Sequence, residues 1–187
     1  MALWQFTLDF IPSYAARFRD VEAIRMTREQ LDAIKLDISA EKQPRLFQTL
    51  SALLPEKKSW APDLRIWGDE KSHDVQIWFE GDRIEGIQLR LNVASPLFQL
   101  VSGMSGIARD LQCVFASRDG AIIQPSAEAV ARAVMQSPAM RFVRDPQGYI
   151  EAAIRADEGG PSSPLSTTFR SYTQQVQARV SCRWSTG

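Results

Sequence analysis

Residues 74–93 read DVQIWFEGDRIEGIQLRLNV. Val75, Ile77 and Phe79 alternate with Asp74, Gln76, Trp78 and Glu80 up to the turn tripeptide Glu80-Gly81-Asp82, and Ile87, Leu89, Leu91 and Val93 alternate after it. Apolar residues at every second position mark a strand with one buried face. Two such runs around a Gly-containing turn make a β-hairpin. Ile84 is out of phase with Ile87 by one residue and Gly86 sits at the break, which places a β-bulge there. If Val75, Ile77 and Phe79 face the core, then Asp74, Gln76, Trp78 and Glu80 line the opposite face.

Elements of both periods flank the hairpin. Trp4, Phe6, Leu8 and Phe10 alternate as a half-buried strand closed by Pro12, and Leu64 to Trp67 can form another. TREQLDAIKL, residues 27–36, opens with Thr27 three positions before Gln30, the spacing of a capping box. Leu46, Phe47, Leu50, Leu53 and Leu54 recur at helical spacing until Pro55. Downstream, Ser95-Pro96 reads as N-cap and first helical position of a helix running to about Gln112. CVFASRDGAIIQP then reads as a second hairpin, Ser126 caps a short alanine-rich helix, and Asp145-Pro146 opens another over 148–155. The expected fold is α+β: a mainly antiparallel sheet of about five to six strands with helices packed on one face. Residues 1–155 form the domain; 156–170, rich in Gly, Pro, Ser and Thr, form a linker; 171–184 form a C-terminal strand extension.

The 187 residues suffice for one domain with a proper core, and 44% hydrophobic with 24% charged residues is ordinary globular composition. Formal net charge is zero and no Lys/Arg-rich run occurs, which argues against a nucleic-acid partner. Cys113 and Cys182 are too few for a disulfide framework. The N-terminus lacks the pattern of a secretory signal, and no apolar run approaches the roughly 20 residues that cross a bilayer. The expected setting is cytoplasmic, with no membrane partner and both thiols reduced.

Ser72, His73 and Asp74 stand in a row like a hydrolase triad, but neighbouring strand residues point to opposite faces and a triad needs a hydrogen-bonded relay. Two distant cysteines and one histidine give no metal-ligand spacing, and nothing points to a cofactor. Gly103-Met104-Ser105-Gly106 lacks the basic neighbours of a nucleic-acid-binding Gly-x-x-Gly loop and suits close packing of a helix against a sheet instead. The segment from Asp63 to Glu85 holds seven carboxylates against three cations, a formal −4. It contains Trp67 and Trp78, with Trp60 just before it. A tryptophan among carboxylates on an outer sheet face suits a basic protein partner, so Trp67, Asp69, Glu70, Asp74, Trp78, Glu80 and Asp82 form the candidate binding surface, with no catalytic residue assigned. The alternatives are an enzyme with a carboxylate-based site near His73 and a structural homo-oligomer.

In SYTQQVQARVSCRW, residues 171–184, Tyr172, Val176, Ala178, Val180, Cys182 and Trp184 fall on even positions, the mark of a strand with one buried face. Such a strand covers an edge of its own sheet or pairs with a second copy as a homodimer.

WQFTLDFIP, the pairs Ser59-Trp60 and Trp67-Gly68, VFASRDGAIIQP and SPAMRFVRDPQGYI together resemble small bacterial α+β proteins similar to immunity proteins of polymorphic toxin systems. The resemblance covers the chain up to Ile154 and leaves the C-terminal extension outside it. It implies a non-enzymatic module that neutralises a basic, toxin-like protein by binding it.

Overall fold

The computed structural model describes residues 2–18 and 21–158. Nine strands form: β1 Gln5–Pro12, β2 Arg17–Phe18, β3 Val21–Glu22, β4 Glu56–Lys57, β5 Leu64–Gly68, β6 Asp74–Glu80, β7 Arg83–Asn92, β8 Cys113–Ser117 and β9 Ile122–Ile123. The helices are α1 Arg28–Asp32, α2 Gln43–Leu53, α3 Phe98–Asp110, α4 Ala127–Gln136, α5 Pro138–Arg144 and α6 Pro146–Glu158. Seven strands make one antiparallel sheet in the order β4-β5-β6-β7-β1-β8-β9, and β2 and β3 pair separately. The architecture is α+β as expected, with the short edge pieces β4 and β9 raising the strand number above six.

The hairpin that sets the fold is β6–β7. Glu80 pairs with Arg83 across a two-residue Gly81-Asp82 turn. Trp78 pairs with Gly86 but Phe79 with Ile84, so Glu85 is the extra residue of a bulge, one position before the expected one. The displaced Glu85 carbonyl accepts a hydrogen bond from the Leu36 N–H at 3.0 Å, and Ile38 bridges to Ile84. The bulge thus recruits the chain after α1 onto the end of β7.

Alternation then assigns the two sheet faces. Phe6, Leu8 and Phe10 of β1, Val75 and Ile77 of β6, Ile87, Leu89 and Leu91 of β7 and Phe115 of β8 pack with α2, α3, α4 and α5 in the main core. On the other face Ile11, Val114 and Ala116 pack with Leu31 of α1, Ala16 and Met26. One correction follows for the layering. The longer helices of this core share one face, but the Thr27-capped helix α1 covers part of the other.

Both sheet edges are blunted, as soluble sheets require. β4 is two residues long and exposes Glu56 and Lys57. The free side of β9 is taken up by the Ile24–Met26 stretch: the Ile122 N–H donates to the Ile24 carbonyl and the Met26 N–H to that of Gly120. Gly103 serves close packing against another helix and not against the sheet, since a Cβ there would sit 2.6 Å from the Leu53 side chain of α2.

Contacts divide the chain into two compact units, Met1–Arg144 and Asp145–Gly187. In the second, the Asp145 carboxylate caps α6 through the Gly148 N–H at 3.0 Å. The expected linker and the C-terminal strand at 171–184 lie outside the described residues.

Candidate binding site

The seven residues of the expected surface do not converge. Register pairs Trp67 with Val75, so β5 turns Trp67 toward α2 rather than outward. Its indole is 0% exposed. It stacks on Phe47, centroids 5.5 Å apart and planes 21° apart, and its Nε1–H donates to Ser51 Oγ at 3.0 Å. Trp67 belongs to the core, which corrects its place on a recognition surface.

Asp74 is likewise removed from the surface, being 0% exposed. It lies directly across from Arg90 on β7. Arg90 Nε and Nη2 donate to its carboxylate at 2.9 and 2.6 Å, and Gln76 Nε2 donates at 3.1 Å. Burial pushes the Asp74 carboxyl above its ordinary range, while Arg90 and Gln76 pull it down. Burial also raises Asp9, two strands away on the same face, which accepts from Gln88 Nε2 at 2.7 Å. These polar groups are hydrogen-bonded on the same sheet face whose other part packs Ile11, Val114 and Ala116.

The remaining acids split into two groups. Asp69 and Glu70 occupy the loop before β6, where Lys57 bonds Asp69 at 2.8 Å and holds its carboxyl below the usual range. Glu80 and Asp82 stand at the far end of β6, about 20 Å along the strand. Trp78 lies between them, half-buried, against Gly86.

His73 is a structural clip. Its Nδ1 accepts from the Asn92 N–H at 3.1 Å, and the ring also bonds the Pro96 backbone, whose only hydrogen-bonding group is its carbonyl. With both ring nitrogens engaged and the Asp74 carboxylate held by Arg90, the Ser72-His73-Asp74 run forms no relay. Burial lowers the His73 pKa, so the folded state disfavours the imidazolium. The unfolded chain then binds the proton first as pH falls. The His73 contribution is complete above about pH 6.5 and is lost as pH drops from there through the lower folded-state value. Urea unfolding should therefore show stability weakening in the wild type as pH falls below about 6.5, and His73→Gln should flatten that slope. An unchanged slope would show that the imidazole titrates freely.

The concavity lies at the turn end of the hairpin. Gln43 and Phe47 from α2, Pro62, Asp63 and Arg65 around the start of β5, and Phe79 and Gly81 at the end of β6 line an open groove of about 470 Å³. Phe47 and Phe79 approach with centroids 6.2 Å apart and supply aromatic wall. The Arg65 guanidinium lies 4.0 Å from the Phe47 ring centroid and is held there by Glu56, whose carboxylate accepts from Nε at 2.8 Å and Nη2 at 2.9 Å. Glu80 and Asp82 flank Gly81, and Gln43 Nε2 donates to the Asp82 carbonyl at 2.6 Å, tying α2 to the turn. Trp60, two residues before Pro62, is 74% exposed. None of the seven residues of the expected surface lines this groove: Glu80 and Asp82 only neighbour Gly81 in the chain, and the Glu80 carboxylate accepts from Lys35 Nζ at 2.9 Å.

Sequence reasoning assigned Phe47 to a helix core and left Arg65 and Phe79 out of the site. One local signal was available: Arg65 shares strand parity with Trp67, so a cation was bound to share its aromatic face. A second, smaller cavity is lined by Ser13, Ala16, Arg17, Glu22, Val114, Ile122 and Gln124. Neither hollow contains His73, Asp74 or Asp9. Among the described residues no cluster of three or more His, Cys, Asp or Glu side chains is placed to hold a metal ion, and no helix is long and apolar enough to cross a membrane.

Fold and groove together define an antiparallel α+β layer protein with a solvent-open, aromatic-walled recess at one end of its sheet. No protein-family model, curated protein or solved structure matches the chain.

Proposed function

We propose that this chain is a non-enzymatic protein-binding module, of the inhibitor or immunity type, that receives a basic protein partner at the groove beside the β6–β7 turn. The observation that carries the reading is the Phe47–Phe79 recess with Asp63 in its lining and the exposed Asp82 next to the lining residue Gly81. An aromatic-walled recess accepts a side-chain anchor, and exposed acids around it steer and orient a cationic surface. Trp60, largely exposed, is the kind of large rigid side chain that dominates binding energy once a partner covers it.

The two groups of acids make the reading testable. A basic, toxin-like protein encoded beside this chain's gene is the partner of choice for calorimetry at low salt. Replacing Glu80 and Asp82 together by lysine is expected to weaken binding at least tenfold, about 1.4 kcal/mol. Trp60→Ala is expected to weaken it by a similar or larger factor. Charge reversal of Asp69 and Glu70, at the other end of β6, should leave affinity within about twofold. Equal losses from both ends would mean that net charge, and not the groove, attracts the partner.

A further inference from the structure

Resting on that reading of the groove, we infer that what seats in it is a proline-rich segment of the partner in the polyproline II conformation, with a basic residue beside the prolines. The Phe47 and Phe79 rings, centroids 6.2 Å apart, form one slot, with Pro62 and the side-chain-free Gly81 in the same lining. Donors stand beside that slot. The Arg65 guanidinium lies 4.0 and 4.8 Å from the Phe47 and Trp67 ring centroids and gives Nε and Nη2 to Glu56. Its Nη1 has no partner among the described residues, and neither does the Trp60 indole N–H, two residues before Pro62.

Aromatic slots beside unpaired donors match the needs of that backbone. A polyproline II helix has no internal hydrogen bonds, so its carbonyls need donors, while each proline brings no N–H that needs an acceptor. Its rings pack in aromatic-lined grooves, and its order in the free state leaves little conformational entropy to lose on seating. The other backbone forms fit worse. A strand added to the sheet needs an open edge, but beside the groove β5 is paired with β4 at Ile66 and Trp67 and turns the Leu64 N–H onto the Ala61 carbonyl. A helix is held through anchors at i, i+4 and i+7, along roughly 10 Å of its axis, and this recess offers one pair of rings. Charge supplies the flank. Glu56 neutralises Arg65, so Asp63 in the lining and the exposed Asp82 beside Gly81 favour a Lys or Arg next to the prolines.

The test uses the full chain and four end-blocked octapeptides of equal charge: PPPPPPRR, the flexible GSGSGSRR, the strand-forming TVTVTVRR and the helix-forming AAAAAARR. Affinities come from calorimetry, and contact from the NMR signal of the Trp60 indole N–H, assigned by its loss in Trp60→Phe. PPPPPPRR is expected to bind about fivefold or more tightly than each of the others and to shift that signal. Its affinity should fall by about fivefold or more in Trp60→Ala, and again in Arg65→Lys, which keeps the charge but loses the guanidinium fork. Trp60 is largely exposed, so its variant keeps the fold whatever Arg65→Lys does. Equal affinity for all four peptides means that the arginines bind by charge alone, and tighter binding of one of the other three means a different backbone in the groove. Either result overturns the inference and leaves the groove reading standing. A proline preference that survives both variants places the site elsewhere and overturns it as well. So does an absence of PPPPPPRR binding at millimolar concentration. The groove reading itself then turns on the whole basic partner, whose loss of affinity in Trp60→Ala requires no proline.

Discussion

Arg90→Ala is expected to cost about 3–5 kcal/mol of folding stability at pH 7, because it leaves Asp74 ionised inside the sheet with no cation. Asp74 has no exposed surface, and Arg90, sixteen residues on, supplies the two-pronged contact that makes its burial tolerable. Gln76 alone cannot replace that charge, since it donates one neutral hydrogen bond at 3.1 Å. The cost should shrink in acid. Burial already raises the Asp74 carboxyl, and removing the guanidinium raises it further, so the folded variant binds a proton that the unfolded chain gives up near the ordinary value. Stability of the variant then falls as pH rises through that interval and is largest below it. Adding Asp74→Leu should recover much of the loss at pH 7. The Gln76 amide, robbed of its acceptor, keeps the double variant about 1–3 kcal/mol below wild type. Urea unfolding at pH 4.5 and 7 measures all three proteins. A single-variant cost under about 1 kcal/mol at pH 7 would falsify the premise that Asp74 is ionised and dry.

The alternating register of the hairpin was legible because its two faces differ in chemistry: Val75 and Ile77 against Asp74 and Gln76, Leu89 and Leu91 against Gln88 and Arg90. The Thr27 capping box and the Ser126 cap were legible for a similar reason, since each is a bond between residues three apart. β5 was harder. Its LRIWG run buries Leu64 and Ile66 on one face and Trp67 on the other, so parity alone gave no inward side and only pairing with β6 decides it. The Asp74–Arg90 pair was hidden for the same reason. Its partners face each other only through cross-strand register on the far side of the Glu85 bulge. At Ser95-Pro96 the local signal misled. The expected helix begins two residues later, at Phe98, because Asn92 and Pro96 are held by His73 and the Ala94 N–H is bonded to the Asn92 side chain. Charge counting found a true acidic bias between Asp63 and Glu85, but the groove draws on α2, β5 and the hairpin at once, and no local pattern reports such a meeting.

Gly68→Ala is expected to destabilise the protein by about 3–5 kcal/mol, combining left-handed backbone strain with a clash that cannot relax. Gly68 ends β5 at φ +92°, and a Cβ there would lie 2.2 Å from the His73 carbonyl oxygen and 3.1 Å from the Leu54 side chain. The first of these neighbours is backbone. Moving it means moving the Asp69–His73 loop, which is closed by the Asp69 N–H on that same His73 carbonyl and by the Ser72 N–H on the Asp69 carbonyl, both at 2.8 Å. The strain therefore spreads into the His73 clip on Asn92 and into the start of β6, where Asp74 meets Arg90. It also reaches α2, since the Gly68 N–H is bonded to the Pro55 carbonyl at 2.8 Å, just beyond that helix. The turn end of the hairpin lies about 20 Å away along β6, so a variant that still folds should keep its groove and its affinity for a basic partner while losing thermal stability. Calorimetric unfolding and a binding isotherm on the same sample separate the two. Loss of binding in protein that remains folded would place part of the recognition surface at the Asp69–His73 loop and move the site to the opposite end of the strand.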